Sequence, residues 1–196
     1  MKNNKINLIV PLINTHVNYI RQFIHSPKTF GTLAPSSHWL CDKMIDLVNL
    51  DSAVTVAELG GGDGVFSRRL LKKLSPSSEL DVYEIQPELI CSLKKIARQH
   101  SQMRVIPGSA EHLLRCYDIV FSCLPLLSIP IKQRLSILRE VNSHLKPNGV
   151  LVQFQYSRMS EKILSRYFRW SREYEVRNFP PAWIYTCYPL HDGGKN

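Results

Sequence analysis

Residues 8–24 place Ile9, Ile13, Val17, Ile20 and Ile24 at spacings of 4, 4, 3 and 4, with Leu12, Tyr19 and Phe23 broadening the stripe. That is the period of an amphipathic helix with a wide apolar face. Pro11 fits only its first turn, so the helix begins near Val10 and stops by Ser26-Pro27. Its apolar face either packs on a core or lies at a membrane surface. Ser36 or Ser37 is placed to cap a second helix over His38–Val48. The pattern then changes. Val54–Leu59 is a β-branched apolar run, the composition of a buried strand. Four glycines follow among the five residues Gly60–Gly64, and Val65–Leu74 resumes with helical period.

Alternation of the two periods continues. Leu80–Ile85 reads as a strand, Pro87–Gln99 as a helix with proline at its start, Met103–Ile106 as a short strand and Tyr117–Ser122 as a fourth. Ile131–Leu145 is an amphipathic helix ended by Pro147-Asn148-Gly149, and Val150–Tyr156 is a fifth strand. Tyr174–Phe179 and Ala182–Tyr188 form a closing antiparallel pair around Pro180-Pro181. Strand, glycine turn and helix in succession make a ligand-binding corner, where backbone approaches the ligand and helix N–H groups face it.

The spacing at that corner narrows the ligand. A dinucleotide fingerprint wants glycine or alanine at the sixth position, which here is Val65. The chain instead has Glu58-x-Gly60-x-Gly62-x-Gly64. An acid at Glu58 disfavours a pyrophosphate and suits a cationic ligand. Glu84, twenty residues past Gly64, ends the second strand and is placed to take both hydroxyls of a ribose. A ribose with a positive charge and no pyrophosphate describes S-adenosylmethionine.

This arrangement resembles the first motif and the acidic strand end of class I S-adenosylmethionine-dependent methyltransferases. The resemblance implies an α/β, Rossmann-like, seven-stranded sheet with helices on both faces, preceded by the amphipathic helix. It divides the chain into residues 1–30, the N-terminal helix, and residues 31–190, the methyltransferase domain. It also implies that Ala110 and Glu111, in the turn after the third strand, pass over the adenine, and that Cys123 borders the cofactor.

Three further segments are more specific. Gly31-x-x-x-Pro35-Ser36-Ser37, Leu124-Pro125-Leu126-Leu127 and Arg177-Asn178-Phe179-Pro180-Pro181 occur in the order that resembles bacterial phospholipid N-methyltransferases, which methylate phosphatidylethanolamine. Enzymes that methylate exocyclic amines of bases carry a polar residue and an aromatic around the Leu-Pro pair. Here Cys123 and Leu126 stand in those places, so the loop offers no base recognition; it either lines an acyl-bearing substrate or is tucked into the core. The resemblance makes Trp39, Leu124, Pro125, Leu126, Arg177 and Asn178 candidate substrate contacts. Arg177 either binds a lipid phosphate or pairs with Glu175.

Methyl transfer is an in-line displacement that needs alignment and a neutral amine. An apolar, aromatic pocket lowers an amine's pKa by desolvation. Tyr19, Tyr156 and Tyr185 are the candidate catalytic aromatics, each able to hold a cation over its ring at about 0.5–2 kcal/mol. The product side is S-adenosylhomocysteine, and no nucleophile or metal is implied.

Composition adds bounds. At 196 residues the chain is of one-domain length. Five cysteines without C-x-x-C spacing read as reduced thiols of a cytoplasmic protein. No apolar run approaches the ~18 residues of a spanning helix. Net charge is +9, and no acid precedes Asp42, whereas Lys2, Lys5, Arg21 and Lys28 do. Such a chain favours an anionic partner. The resemblance selects an anionic membrane surface reached through the N-terminal helix, and a peripheral place on the inner face of the cell membrane. The runner-up is an rRNA adenine N6-dimethyltransferase-like or other nucleic-acid methyltransferase.

Overall fold

The structure, a computed structural model, describes residues 37–190. The helix expected over residues 8–24, with Tyr19, and the Gly31–Ser36 segment lie outside the described residues. Ser37 is the cap of the first described helix, α1 (His38–Asp46): its Oγ accepts the Leu40 N–H at 3.3 Å.

β1 (Thr55–Leu59) leads through the glycine turn into α2 (Val65–Leu71). β2 (Glu79–Glu84), α3 (Pro87–Ala97), β3 (Met103–Pro107) and β4 (Tyr117–Ser122) follow. A 3-10 turn (Leu126–Ser128) precedes α4 (Ile131–His144) and β5 (Leu145–Gln155). A second 3-10 turn (Arg158–Ser160) and α5 (Glu161–Leu164) lead to β6 (Phe168–Glu175) and β7 (Ala182–Pro189).

The seven strands form one sheet in the order β3-β2-β1-β4-β5-β7-β6. The first five are parallel; β7 is antiparallel to both β5 and β6. The order reverses between β1 and β4, a topological switch point where open α/β sheets bind ligands. β1 and β4 are buried on both faces, as parallel strands covered by helices must be. On one face Leu40, Met44 and Ile45 of α1, Phe66 and Leu70 of α2 and Leu93 of α3 pack on Val56, Phe121 and Val152. On the other, Ile137, Leu138 and Val141 of α4 and Leu164 of α5 pack on Ala57, Val120 and Leu151.

Two strands start earlier than their sequence pattern implies. β5 begins at Leu145 rather than Val150, taking in Pro147-Asn148-Gly149 where its register with β4 shifts between Tyr117 and Ile119. β6 runs over Phe168–Glu175 rather than Tyr174–Phe179, and the residues expected to end it form the turn into β7. As the edge strand it needs only one covered face, so its charged alternate positions are tolerated.

Candidate active site

The carboxyl ends of β1, β2 and β4 converge on the glycine turn. Gly60 and Gly61 donate their N–H groups to Tyr83 O at 2.9 and 3.1 Å, locking the turn to β2. Gly60, Gly62 and Gly64 all have positive φ, which side chains resist. Glu84 then reaches back across the corner. Its Oε2 accepts the Gly62 N–H at 3.0 Å, and its Oε1 accepts Ile85 and Gln86 N–H at 2.8 and 3.0 Å. A carboxylate offers about four acceptor positions. Three are taken within the chain, which leaves room for about one further hydrogen bond, as from a ribose hydroxyl.

Gly108 N–H donates to Glu84 O at 3.1 Å, which sets the turn after β3 beside the acid. Ala110 is buried there, and Glu111 is half-buried, its Oε2 accepting Gln133 Nε2 at 2.9 Å and Ser109 Oγ at 3.2 Å. On the other side Cys123 N–H donates to Leu59 O at 2.9 Å. The Leu124 side chain lies against Gly60, where an added Cβ would meet Leu124 Cδ2 at 2.9 Å.

Glu58 departs from its expected place. It is fully buried, with Oε2 accepting the Ser67 hydroxyl at 2.5 Å and Oε1 without a hydrogen-bond partner. Burial pushes its carboxyl up to about 8, although the Ser67 hydrogen bond opposes the shift. No atom of Glu58 reaches the surface, so it makes no direct contact with a cationic ligand in this conformation and instead sits behind the turn. Burial likewise pushes the Cys123 thiol well above its ordinary value, which keeps it uncharged.

The loop after β4 is anchored by groups that the sequence reading passed over. Gln153 and Gln155, two apart on β5, both donate from Nε2 to Leu124 O, at 3.1 and 3.0 Å. A polar pair at strand period inside Val-Leu-Val-Gln-Phe-Gln was the available signal. Leu124 and Pro125 are half-buried at the corner, whereas Leu126 is fully buried in the core. Leu126, expected as a substrate contact, packs into the core here.

Of the candidate catalytic aromatics, Tyr156 and Tyr185 fall within the described residues, on opposite faces of the sheet. Tyr156 packs with the α1 side of the sheet, its ring edge-on to Phe154 at 5.6 Å, and burial pushes its hydroxyl up to about 12. Tyr185 is fully buried on the opposite face, and its hydroxyl donates to Glu161 Oε1 at 3.2 Å. Tyr185 thus lies on the opposite face of the sheet from Tyr156. Trp39 is partly exposed at the start of α1, its ring 3.8 Å from that of His38.

Asn178 is also buried and committed. Its Oδ1 accepts Ser37 N–H at 3.0 Å and its Nδ2 donates to Pro180 O at 2.6 Å. Asn178, expected as a substrate contact, here braces α1 against the β6–β7 turn. Arg177 makes a bidentate pair with Glu175 at 2.9 and 2.8 Å, and this hydrogen bonding holds Glu175 down to about 2. The Arg177 guanidinium nonetheless stays more than half exposed. Among the described residues, no group of three or more His, Cys, Asp or Glu side chains could hold a metal ion.

Residues 57–151 match the family model of a methyltransferase domain. The matched segment runs from β1 into β5 and contains the whole corner. An ornithine lipid N-methyltransferase from Singulisphaera acidiphila is 26% identical over 179 residues, covering 86% of this chain and 93% of that protein. A probable ribosomal RNA small subunit methyltransferase A from Methanococcoides burtonii is 32% identical over 96 residues, covering 48% of this chain and 34% of that protein. Among solved structures, N-methyltransferase NodS from Bradyrhizobium japonicum in complex with S-adenosyl-L-homocysteine superposes with a TM-score of 0.64 at 13% identity, covering 89% of this chain and 98% of that one. The sheet is that of the Rossmann-like methyltransferase fold. Domain match and fold together support a class I S-adenosylmethionine-dependent methyltransferase, with S-adenosylmethionine as cofactor.

The corner fits that cofactor. A Cβ added at Gly62 meets nothing within 4 Å, so open space lies over the turn. Glu84 keeps acceptor capacity at its rim, and an uncharged thiol and the Leu124 side chain bound it on the β4 side.

Proposed function

We propose that the protein is an S-adenosylmethionine-dependent N-methyltransferase that acts on the amine headgroup of a membrane lipid, converting phosphatidylethanolamine towards phosphatidylcholine or methylating a related aminolipid. The observation that carries the reading is the loop after β4. Where it meets the glycine corner it carries Cys123, Leu124 and Pro125, and it is held by Gln153 and Gln155 through Leu124 O and by Arg134 through Leu127 O and Ile129 O. The segment Cys123–Pro130 has no aromatic side chain to stack on a base and no carboxylate or amide side chain of its own, and an acyl-bearing amine suits these walls. The likeness to an ornithine lipid N-methyltransferase over nearly the full length of both chains supports the same class.

The bound cofactor supplies an electrophilic methyl group on a sulfonium. In this reading Glu84 accepts a ribose hydroxyl, the backbone at Gly60, Gly62 and Gly64 gives close approach, and Ala110 and Glu111 border the adenine. Leu124 and Pro125 shield the reacting atoms from water, which raises the share of neutral amine. Tyr156 stays protonated at neutral pH, so it positions the amine through its ring and hydroxyl and takes no proton. The displaced proton leaves with solvent as the N–C bond forms and the S–C bond breaks. Glu58 acts through Ser67 and the turn. A peripheral place on the inner leaflet of the cell membrane follows from the substrate.

The test is direct. Purified full-length protein with methyl-labelled S-adenosylmethionine and vesicles of phosphatidylethanolamine or ornithine lipid should transfer label to the lipid headgroup. Label appearing in RNA, with none in either lipid, overturns the reading in favour of nucleic-acid methylation.

A further inference from the structure

Large apolar side chains are exposed around one end of the sheet. β6 ends at Glu175 and β7 begins at Ala182, paired with each other, so the turn between them projects from the end of the sheet where β5 finishes. That is also the end at which β1 and β4 meet the glycine corner. In the turn, Phe179 is 72% exposed and Val176 is 66% exposed. Met159 of the Arg158–Ser160 turn, which directly follows β5, is 58% exposed, and Trp39 at the start of α1 is 41% exposed. Contacts between their neighbours place these four around the same end of the sheet. Ser37 N–H is bonded to Asn178 Oδ1 beside Phe179, and Arg158 lies over the Trp183 ring at 5.7 Å. The Arg158–Ser160 turn in turn packs against the Leu126–Ser128 turn.

The rim carries four cations against three acids, with arginine side chains on its outside. Arg158 and Arg177 pair with Glu161 and Glu175 yet keep more than half of each side chain in water, and Arg172 and Lys43 stand nearby, paired with Glu161 and Glu173. The whole chain carries +9. Isolated exposed apolar residues need no explanation, but an apolar tip ringed by arginines at the mouth of a site is a recognisable interfacial arrangement.

We propose that the β6–β7 turn, through Val176 and Phe179 with Met159 and Trp39 beside them, is a membrane-insertion tip that seats the mouth of the active site on an anionic leaflet. The occupant is a bilayer because the tip pairs aliphatic with aromatic side chains. Val176 and Met159 give no stacking face to a nucleic acid, whereas all four gain from leaving water for the acyl boundary. Arg158 and Arg177 then lie at headgroup level. This orientation rests on the lipid-amine reading above, and it lets a headgroup reach the glycine corner from the membrane plane. The tip is separate in sequence from residues 8–24 and belongs to the described domain.

Flotation of the full chain with vesicles of equal parts phosphatidylglycerol and phosphatidylcholine tests it, since these lipids carry no methylatable amine and docking is read without the reaction. Wild type should float, less so as salt is raised. The Val176→Ser/Phe179→Ser double variant should lose vesicle partitioning by about tenfold or more, since two large side chains no longer leave water. Phe179→Trp should retain binding. Calorimetric affinity for S-adenosylmethionine, unchanged in both variants, establishes that the corner is folded. A double variant that floats like wild type overturns the proposal. So does a wild type that ignores vesicles, and if it still methylates detergent-dispersed aminolipid the functional reading stands alone. Tip-dependent retention by RNA rather than vesicles also overturns it. Tip-dependent flotation by a protein that methylates neither lipid supports the docking surface while removing the lipid-methylation reading.

Discussion

The backbone N–H of Ser37 donates to Oδ1 of Asn178 at 3.0 Å, joining residues 141 positions apart. Ser37 is at the same time the cap of α1, and Asn178 spends its amide on Pro180 O. Two of the segments most specific to the resemblance therefore meet each other and not a substrate.

Asn178→Ala should accordingly act on stability. It leaves the Ser37 N–H without its acceptor and removes the brace on the β6–β7 turn, at a cost of about 1–3 kcal/mol. Ser37→Ala keeps the backbone donor and loses only the hydroxyl cap, at about 1 kcal/mol. Urea unfolding should rank them in that order, with cofactor affinity near wild type in both. A large loss of substrate affinity in Asn178→Ala at unchanged stability would contradict the brace.

Glu84 combines structural and binding roles, so its variants should separate. Glu84→Ala strips the acceptor from Gly62, Ile85 and Gln86 N–H as well as from a ribose hydroxyl. Loss of a charged acceptor is worth about 1.5–3 kcal/mol, or roughly 10- to 150-fold in S-adenosylmethionine affinity. Glu84→Gln retains one oxygen and should fall between. Isothermal calorimetry on folded variants decides it, and wild-type affinity in Glu84→Ala would remove Glu84 from the cofactor site.

How far the sequence could be read depends on what each signal reports. Period and glycine spacing report local backbone, so β1, the turn, α2 and the succession of the first five strands along the chain were legible, whereas their order in the sheet was not. The start of β6 was not, because Arg169, Arg172 and Glu173 interrupt the apolar count on an edge strand that tolerates them. Burial of Glu58 was equally hidden: it depends on Ser67 nine residues on, and on the sheet and helices closing around β1. The loop after β4 was read correctly as apolar, yet spacing does not reveal which leucine turns inward. Leu126 does, while Leu124 rests on Gly60.

Glu58 gives a pH signature with a definite sign. Its carboxyl titrates near 8 in the folded protein, against an ordinary value of 4.5. Between those values the unfolded chain has released a proton that the folded protein retains. Stability should therefore fall as pH rises through that window, by up to about 1.4 kcal/mol per unit, and level off above it. Glu58→Gln removes the titration, so the variant should show a flatter stability profile between about pH 5 and about pH 8. Parallel profiles for the two proteins in urea unfolding would place the raised carboxyl elsewhere.

The glycines of the corner should divide into two kinds when each is replaced by alanine. At Gly61 an added Cβ would stand 2.4 Å from Val82 Cγ1 and 2.8 Å from Leu93 Cδ1, inside the core beneath the turn. At Gly62 it meets nothing within 4 Å, although φ of +55° is unfavourable for a side chain. Overpacking costs about 1–3 kcal/mol, while a single left-handed alanine costs about 1–2 kcal/mol. Gly61→Ala should thus lose stability through displacement of Val82 and Leu93, with cofactor affinity falling only as folding does. Gly62→Ala should fold with a modest loss, but its methyl group projects into the open space over the turn, where the cofactor is to lie. Its S-adenosylmethionine affinity should drop at least tenfold beyond the stability change, an expectation of about 1.4 kcal/mol for one displaced contact. Thermal melts with and without S-adenosylmethionine separate the two effects, because bound ligand raises the melting point with the logarithm of its affinity. Gly62→Ala with a normal ligand-induced shift would mean that the cofactor does not pass over this turn.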